Sequence, residues 1–173
     1  MDNLFDKWKT RIPNYSVEFK DTLFKPLSET GGAEGEKKIS LGKHFSTNYE
    51  LYTYAFFLGL YEDEYIPIPE GIKKDNFRHA IQNWGSKSSP IRKDFTNLQE
   101  YIFAALVAKT DLDFIVLDKG EITEDQAVKK LIQTMESYTN GGLTLIKEKL
   151  EDSPSYFLNP TSFLDMIVKT KKE

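Results

Sequence analysis

Apolar residues fall on every side of the stretch 47–61, TNYELYTYAFFLGLY. That pattern predicts a helix surrounded by other elements rather than one lying on a surface. Thr47 and Glu50 have the spacing of a capping box, in which each side chain bonds the free backbone N–H of the other. Glu62, Asp63 and Glu64 end the run, and Pro67 and Pro69 prevent continuation. At 1.5 Å per residue the rod is about 22 Å long, roughly the width of a small domain. The rest of the chain is expected to pack around it.

Elsewhere the period is helical and one-sided. Leu4, Phe5, Trp8 and Ile12 mark a short amphipathic helix ended by Pro13. Tyr15–Phe19 alternates, which predicts a short strand or extended arm. Residues 28–38, SETGGAEGEKK, hold three glycines and no large apolar side chain, so a loop is expected there. Phe77, Ala80, Ile81 and Trp84 lie at i, i+3, i+4 and i+7. With Asp75 as N-cap and Gly85 as C-cap glycine they predict a helix over Asp75–Trp84. Ser89 and Pro90 predict the start of another, running to about Lys109 with Ile91, Phe95, Leu98, Ile102 and Leu106 facing inward.

Thr110–Lys119 reads as a buried strand or a helical turn, and its helical neighbours favour the turn. Thr123 and Gln126 have the spacing of a second capping box. Val128, Leu131, Ile132, Met135 and Tyr138 then form one helix face, which Asn140-Gly141-Gly142 is expected to stop. Leu143, Ile146 and Leu150 predict a further short helix. Ser153-Pro154 and Asn159-Pro160 resemble N-caps with proline at the first helical position, and the last helix carries Phe163, Leu164, Ile167 and Val168.

The sum is an all-α protein. It is a compact bundle of about seven or eight helices around the buried aromatic helix 47–61, with a short extended or loop-rich N-terminal arm. Residues 1–38 supply the N-terminal helix, arm and glycine-rich loop. Residues 39–173 supply the main helical domain, and one domain overall is expected.

Composition narrows the function classes. Twelve Phe, nine Tyr and two Trp suit an aromatic core or a partner surface. The absence of cysteine excludes disulfides, a thiol nucleophile and a cysteine zinc site, and fits a cytoplasmic protein. The N-terminus lacks the basic start and apolar run of a signal peptide. The longest apolar stretch is interrupted by Glu50 and Thr53 and flanked by three acids, which argues against a membrane span.

The net charge of −4 argues against general affinity for nucleic acid, yet charge is segregated. The stretch 72–93 holds Lys73, Lys74, Arg78, Lys87, Arg92 and Lys93 against the single acid Asp75, leaving the other residues at −9. Two helices joined by Gly-Ser-Lys-Ser-Ser resemble a helix-turn-helix, with Arg92 and Lys93 leading the second helix and Trp84 packed beneath the basic face. Cations in a first helical turn oppose the macrodipole, and a docked phosphate would relieve that cost. The competing account is a solvated face whose cations pair with Glu62–Glu64 or Asp94.

Other chemistry is sparse. Glu62, Asp63, Glu64, Asp111, Asp113 and Asp118 are the carboxylates from which a magnesium site or an acid–base site would be built. A helix start explains Asp111 and Asp113 equally well. The two histidines, His44 and His79, lie in different segments. The Gly31–Gly35 loop lacks the lysine of a phosphate loop, and no cofactor motif is present. The expectation is therefore a non-catalytic binding or assembly protein that contacts nucleic acid or another polyanion through the basic stretch. The alternatives are a small enzyme with a carboxylate site near 62–64 and 111–118, and a module for a protein partner or homo-oligomer.

Overall fold

A computed structural model describes residues 3–28, 44–85 and 93–169. In chain order its elements are α1 (Leu4–Lys9), β1 (Tyr15–Ser16), a π turn (Lys20–Phe24) leading into α2 (Lys25–Leu27), α3 (Asn48–Glu62), β2 (Lys74–Asp75) and a 3-10 turn (Ile81–Asn83). They continue with α4 (Thr96–Lys109), α5 (Phe114–Asp118), α6 (Glu124–Asp152), a second 3-10 turn (Tyr156–Leu158) and α7 (Ser162–Lys169). The protein is all-α, with seven α-helices and one two-stranded ladder among the described residues. Among those residues no helix is long and apolar enough to cross a membrane. The glycine-rich stretch and the Ser89-Pro90 pair lie outside the described residues.

The chain divides into two compact units. One comprises Met1–Asn14 and Asn76–Glu136, the other Tyr15–Asp75 and Ser137–Glu173.

In the first unit, Asn3 caps α1 by accepting from the backbone N–H of Asp6 at 2.8 Å. The helix stops at Lys9, so Ile12 misses the apolar face and remains exposed. Trp8 is fully buried, with its ring 5.5 Å from that of Phe103 on α4. Lys7 pairs with Glu124, and Arg11 with Asp125 at 2.6 Å, across to the first turn of α6. The predicted helix from Pro90 is described only from Thr96, because Lys93–Phe95 is not helical. There Asp94 accepts from the N–H and hydroxyl of Thr96. Phe95, Ile102 and Leu106 are buried as the stripe requires, Leu98 is half-buried, and Gln99 is buried with them. The turn at 110–119 is helical, as α5. Asp113 caps it by accepting from Ile115 and Val116, yet none of its residues is buried.

In the second unit, the Thr47 capping box forms in both directions and α3 follows it. Leu51, Tyr52, Ala55, Phe56 and Leu58 are all at most 1% exposed, as expected of a surrounded helix. An aromatic cluster closes over its start. The Phe163 ring lies 4.7 Å from Phe45, 5.1 Å from Tyr54 and 4.7 Å from Phe157. The Tyr54 hydroxyl donates to the Phe163 carbonyl. Helix α7 begins at Ser162, not at Pro160, because the Asn159 side chain accepts from the N–H and hydroxyl of Thr161 and holds a turn ahead of it. Ser153-Pro154 likewise starts no α-helix and leads into the 3-10 turn.

The largest departure from the periodicity is at Asn140-Gly141-Gly142. It stops nothing: α6 is one helix of 29 residues, starting at the Thr123–Gln126 box, with both reciprocal bonds present. The short helix expected after the glycines is its C-terminal half. A β-carbon on Gly142 would lie 1.8 Å from the Ala55 carbonyl oxygen, one on Gly59 2.0 Å from that of Tyr138, and one on Gly141 1.9 Å from that of Glu64. The glycines let α3 and the chain after it approach the α6 backbone. Asn140 donates from its side chain to the Ile66 carbonyl, and Ile66 donates to that of Ser137. Two helix-interior glycines cost about 1 kcal/mol each relative to alanine. Dispersion contacts along this seam offset that cost.

Candidate nucleic-acid interface

The six predicted cations are built into three different settings. Lys73 and Lys74 belong to the second unit. Lys74 stands opposite Ser16 in the antiparallel β1–β2 ladder, and the Lys73 carbonyl accepts from Val17 at 2.9 Å. The neighbouring Asp75 stands opposite Tyr15 and pairs with Lys20 at 2.7 Å. Tyr15 is buried, and that burial, with Asp75 as the next cause, pushes its hydroxyl up to about 12. The backbone of this segment is therefore held in place while the Lys73 and Lys74 side chains face solvent.

Arg78 belongs to the first unit. The helix predicted over Asp75–Trp84 does not form, and competing partners explain why. The intended N-cap, Asp75, is engaged in the ladder. The Asn76 side chain accepts from the Arg78 N–H at 2.9 Å, a local turn that replaces the first helical bond. The Ile81 N–H goes to the Arg11 carbonyl at 3.0 Å. The Trp84 indole donates to the His79 carbonyl, and buried Gln99 donates to the carbonyls of Ile81 and Trp84. Only Ile81 and Trp84 of the stripe are buried. Trp84 is thus a buried anchor, as expected, but of an irregular turn. Gly85 ends that turn at φ +84°, with the Lys93 carbonyl so close that a β-carbon would meet it at 2.4 Å. Without a first helix the helix-turn-helix geometry is lost.

Within that turn Arg78 itself has φ 59°, a left-handed backbone that non-glycine residues rarely adopt. Its side chain is exposed. Lys93 is also exposed. Lys87 and Arg92 lie outside the described residues.

Pairing separates these cations from others on the chain. Lys7, Lys9, Arg11, Lys20, Lys25 and Lys147 each lie in an ion pair with a carboxylate. Lys73, Lys74 and Arg78 take part in none among the described residues, so the expected pairing with Glu62–Glu64 or Asp94 does not extend to them.

The carboxylates of the enzyme alternative have local structural work. Asp63 ends α3 in the left-handed conformation at φ 56°, with its N–H donated to Gly59 and Leu60. Glu64 donates its N–H to Gly59 and presents its carbonyl to Gly141. Asp113 caps α5. Among the described residues no group of three His, Asp or Glu side chains could hold a metal ion. His44 contacts the Phe157 carbonyl through Nε2, and its ring lies 4.9 Å from Phe163, so it serves the aromatic cluster. The sequence reading missed Glu136, a buried carboxylate inside α6. It accepts from the backbone and side-chain N–H groups of Asn14 at 2.8 and 2.9 Å. No local signal singles it out, because its partner is 122 residues away. No family model, no curated protein and no solved structure matches this chain.

Proposed function

We propose that this protein is a non-catalytic helical binding protein of the cytoplasm that contacts the phosphates of nucleic acid through the basic stretch 72–93. The observation that carries the reading is the set of exposed cations Lys73, Lys74 and Arg78, which have no ion pair among the described residues. An exposed arginine held at positive φ is a second support, since strained backbone gathers at functional positions. Without a recognition helix in this stretch the contacts are to phosphate rather than to base edges. Binding is then electrostatic and indifferent to sequence. The net charge of −4 keeps that affinity modest and makes it depend on these few side chains.

The test is fluorescence anisotropy with labelled single- and double-stranded oligonucleotides at about 50 and 200 mM salt. The variant is Lys73→Gln/Lys74→Gln/Arg78→Gly, in which glycine suits the left-handed backbone and removes the charge. The natural protein binds, and the variant loses affinity together with roughly two to three units of salt slope. No binding at the lower salt overturns the reading. Equal binding by the variant removes the phosphate contact from these residues.

A further inference from the structure

Helix α5, the sequence FIVLD, combines apolar side chains with exposure in a way that nothing inside the fold explains. Phe114 is 44% and Ile115 67% exposed, and Val116 and Leu117 are half-buried. The turn is nevertheless firmly built. Asp113 accepts from the N–H groups of Ile115 and Val116 at 2.9 and 3.1 Å. At the other end Gly120, at φ +73°, donates to Leu117 and Glu121 donates to Val116, a closed C-terminal cap. Leu112, just before it, is buried and anchors the segment. An apolar surface held in one conformation at a preorganised turn is a docking surface rather than a frayed end.

The surrounding charge selects the occupant. Asp111, Asp113, Asp118 and Glu121 are exposed and rim the turn, against the single exposed cation Lys119. None of the four carboxylates is in an ion pair among the described residues, and Lys130 reaches only the backbone carbonyl of Asp111. A second copy meeting this face through a twofold axis would bring the same four carboxylates against these, which like-charge repulsion disfavours. Nucleic acid and anionic lipid are disfavoured on the same ground. A partner with apolar anchors flanked by lysine or arginine satisfies both features at once.

We propose that the turn Asp113–Glu121 docks a basic amphipathic segment of a partner protein, with Phe114 and Ile115 as its anchors. The surface is separate from the basic stretch and does not depend on it. The experiment is selection of a random-peptide display library on the full chain, with counter-selection on Ile115→Asp, followed by anisotropy on the enriched peptides. The expected peptides carry a net positive charge around apolar residues. Their affinity falls about tenfold or more with Ile115→Asp and with Phe114→Ser. Asp111→Asn/Asp118→Asn/Glu121→Gln, which spares the capping Asp113, weakens binding most at low salt. Circular dichroism checks that each variant is folded, and Ile115→Ser replaces the aspartate if it is not. Enriched peptides that are neutral or acidic overturn the proposal, as does an enriched set indifferent to both anchor variants. A dimer in sedimentation velocity that Ile115→Asp abolishes overturns it in favour of a second copy.

Discussion

A single added carbon at Gly142 would lie 1.8 Å from the Ala55 carbonyl oxygen, inside any tolerable contact distance. That oxygen belongs to helix backbone and cannot swing aside as a flexible side chain would. Gly142→Ala therefore forces α3 and α6 apart. Alanine gains roughly 1 kcal/mol in helix propensity over glycine, and overpacking a dense seam outweighs that gain. The expected net loss is about 2 kcal/mol, read as a lower urea midpoint. A midpoint at or above that of the natural protein would refute the close approach. Arg78 is the opposite case at the same scale. Its left-handed backbone is stabilised by Asn76 accepting from its N–H, and its side chain is released to solvent.

At the scale of elements, local signals succeed where they are closed within one helical turn. The Thr47–Glu50 and Thr123–Gln126 boxes both form, and each supplies partners for N–H groups that the helix cannot satisfy. Thr123→Ala should cost about 1 kcal/mol of stability and Thr123→Asp should restore most of it, since aspartate also accepts at the N-cap. Thermal unfolding of the two variants checks this, and equal losses would show that the box contributes nothing. Local signals fail where the decisive partner is distant. The stripe Phe77–Trp84 has helical spacing, but Arg11, Asn76 and Gln99 take backbone groups that a helix would have used for itself. Asn140-Gly141-Gly142 has the composition of a break, but every residue from Thr134 to Leu143 is buried and the glycines form a packing seam.

For the whole molecule, the second unit carries three tyrosines whose hydroxyls are pushed upward. Burial is the main cause at each. Tyr15 rises from the usual 10.0 to about 12, with Asp75 as second cause, and Tyr54 and Tyr156 also rise. A group whose folded value exceeds its unfolded one contributes stability that is complete below the unfolded value. That contribution is lost as pH rises through the folded value. Stability should therefore be insensitive to these groups below about pH 10 and fall from there toward about pH 12. Urea midpoints across that range, followed by tyrosinate absorbance, measure the effect. Tyr15→Phe and Tyr54→Phe should flatten the decline, and an unchanged slope in both would assign it to other groups. The charge segregation read from the stretch 72–93 survives at this scale in part. Lys73, Lys74 and Arg78 are exposed without ion pairs among the described residues, but the helices that would have presented them as a helix-turn-helix are not there.

The sequence by itself determined the helical class, the position of α3, the two capping boxes and the apolar stripes of α4 and α6. These depend on residues at most a few positions apart, and the competition between water and the neighbouring turn is settled locally. Tertiary structure alone decided that α6 is continuous, that 75–84 is an irregular turn, and that α5 forms yet leaves Phe114 and Ile115 in solvent. Each of those outcomes turns on burial or on a backbone partner far away in the chain. A glycine in a buried seam and a glycine in a turn have the same letter, and only the neighbour brought against the missing side chain separates them.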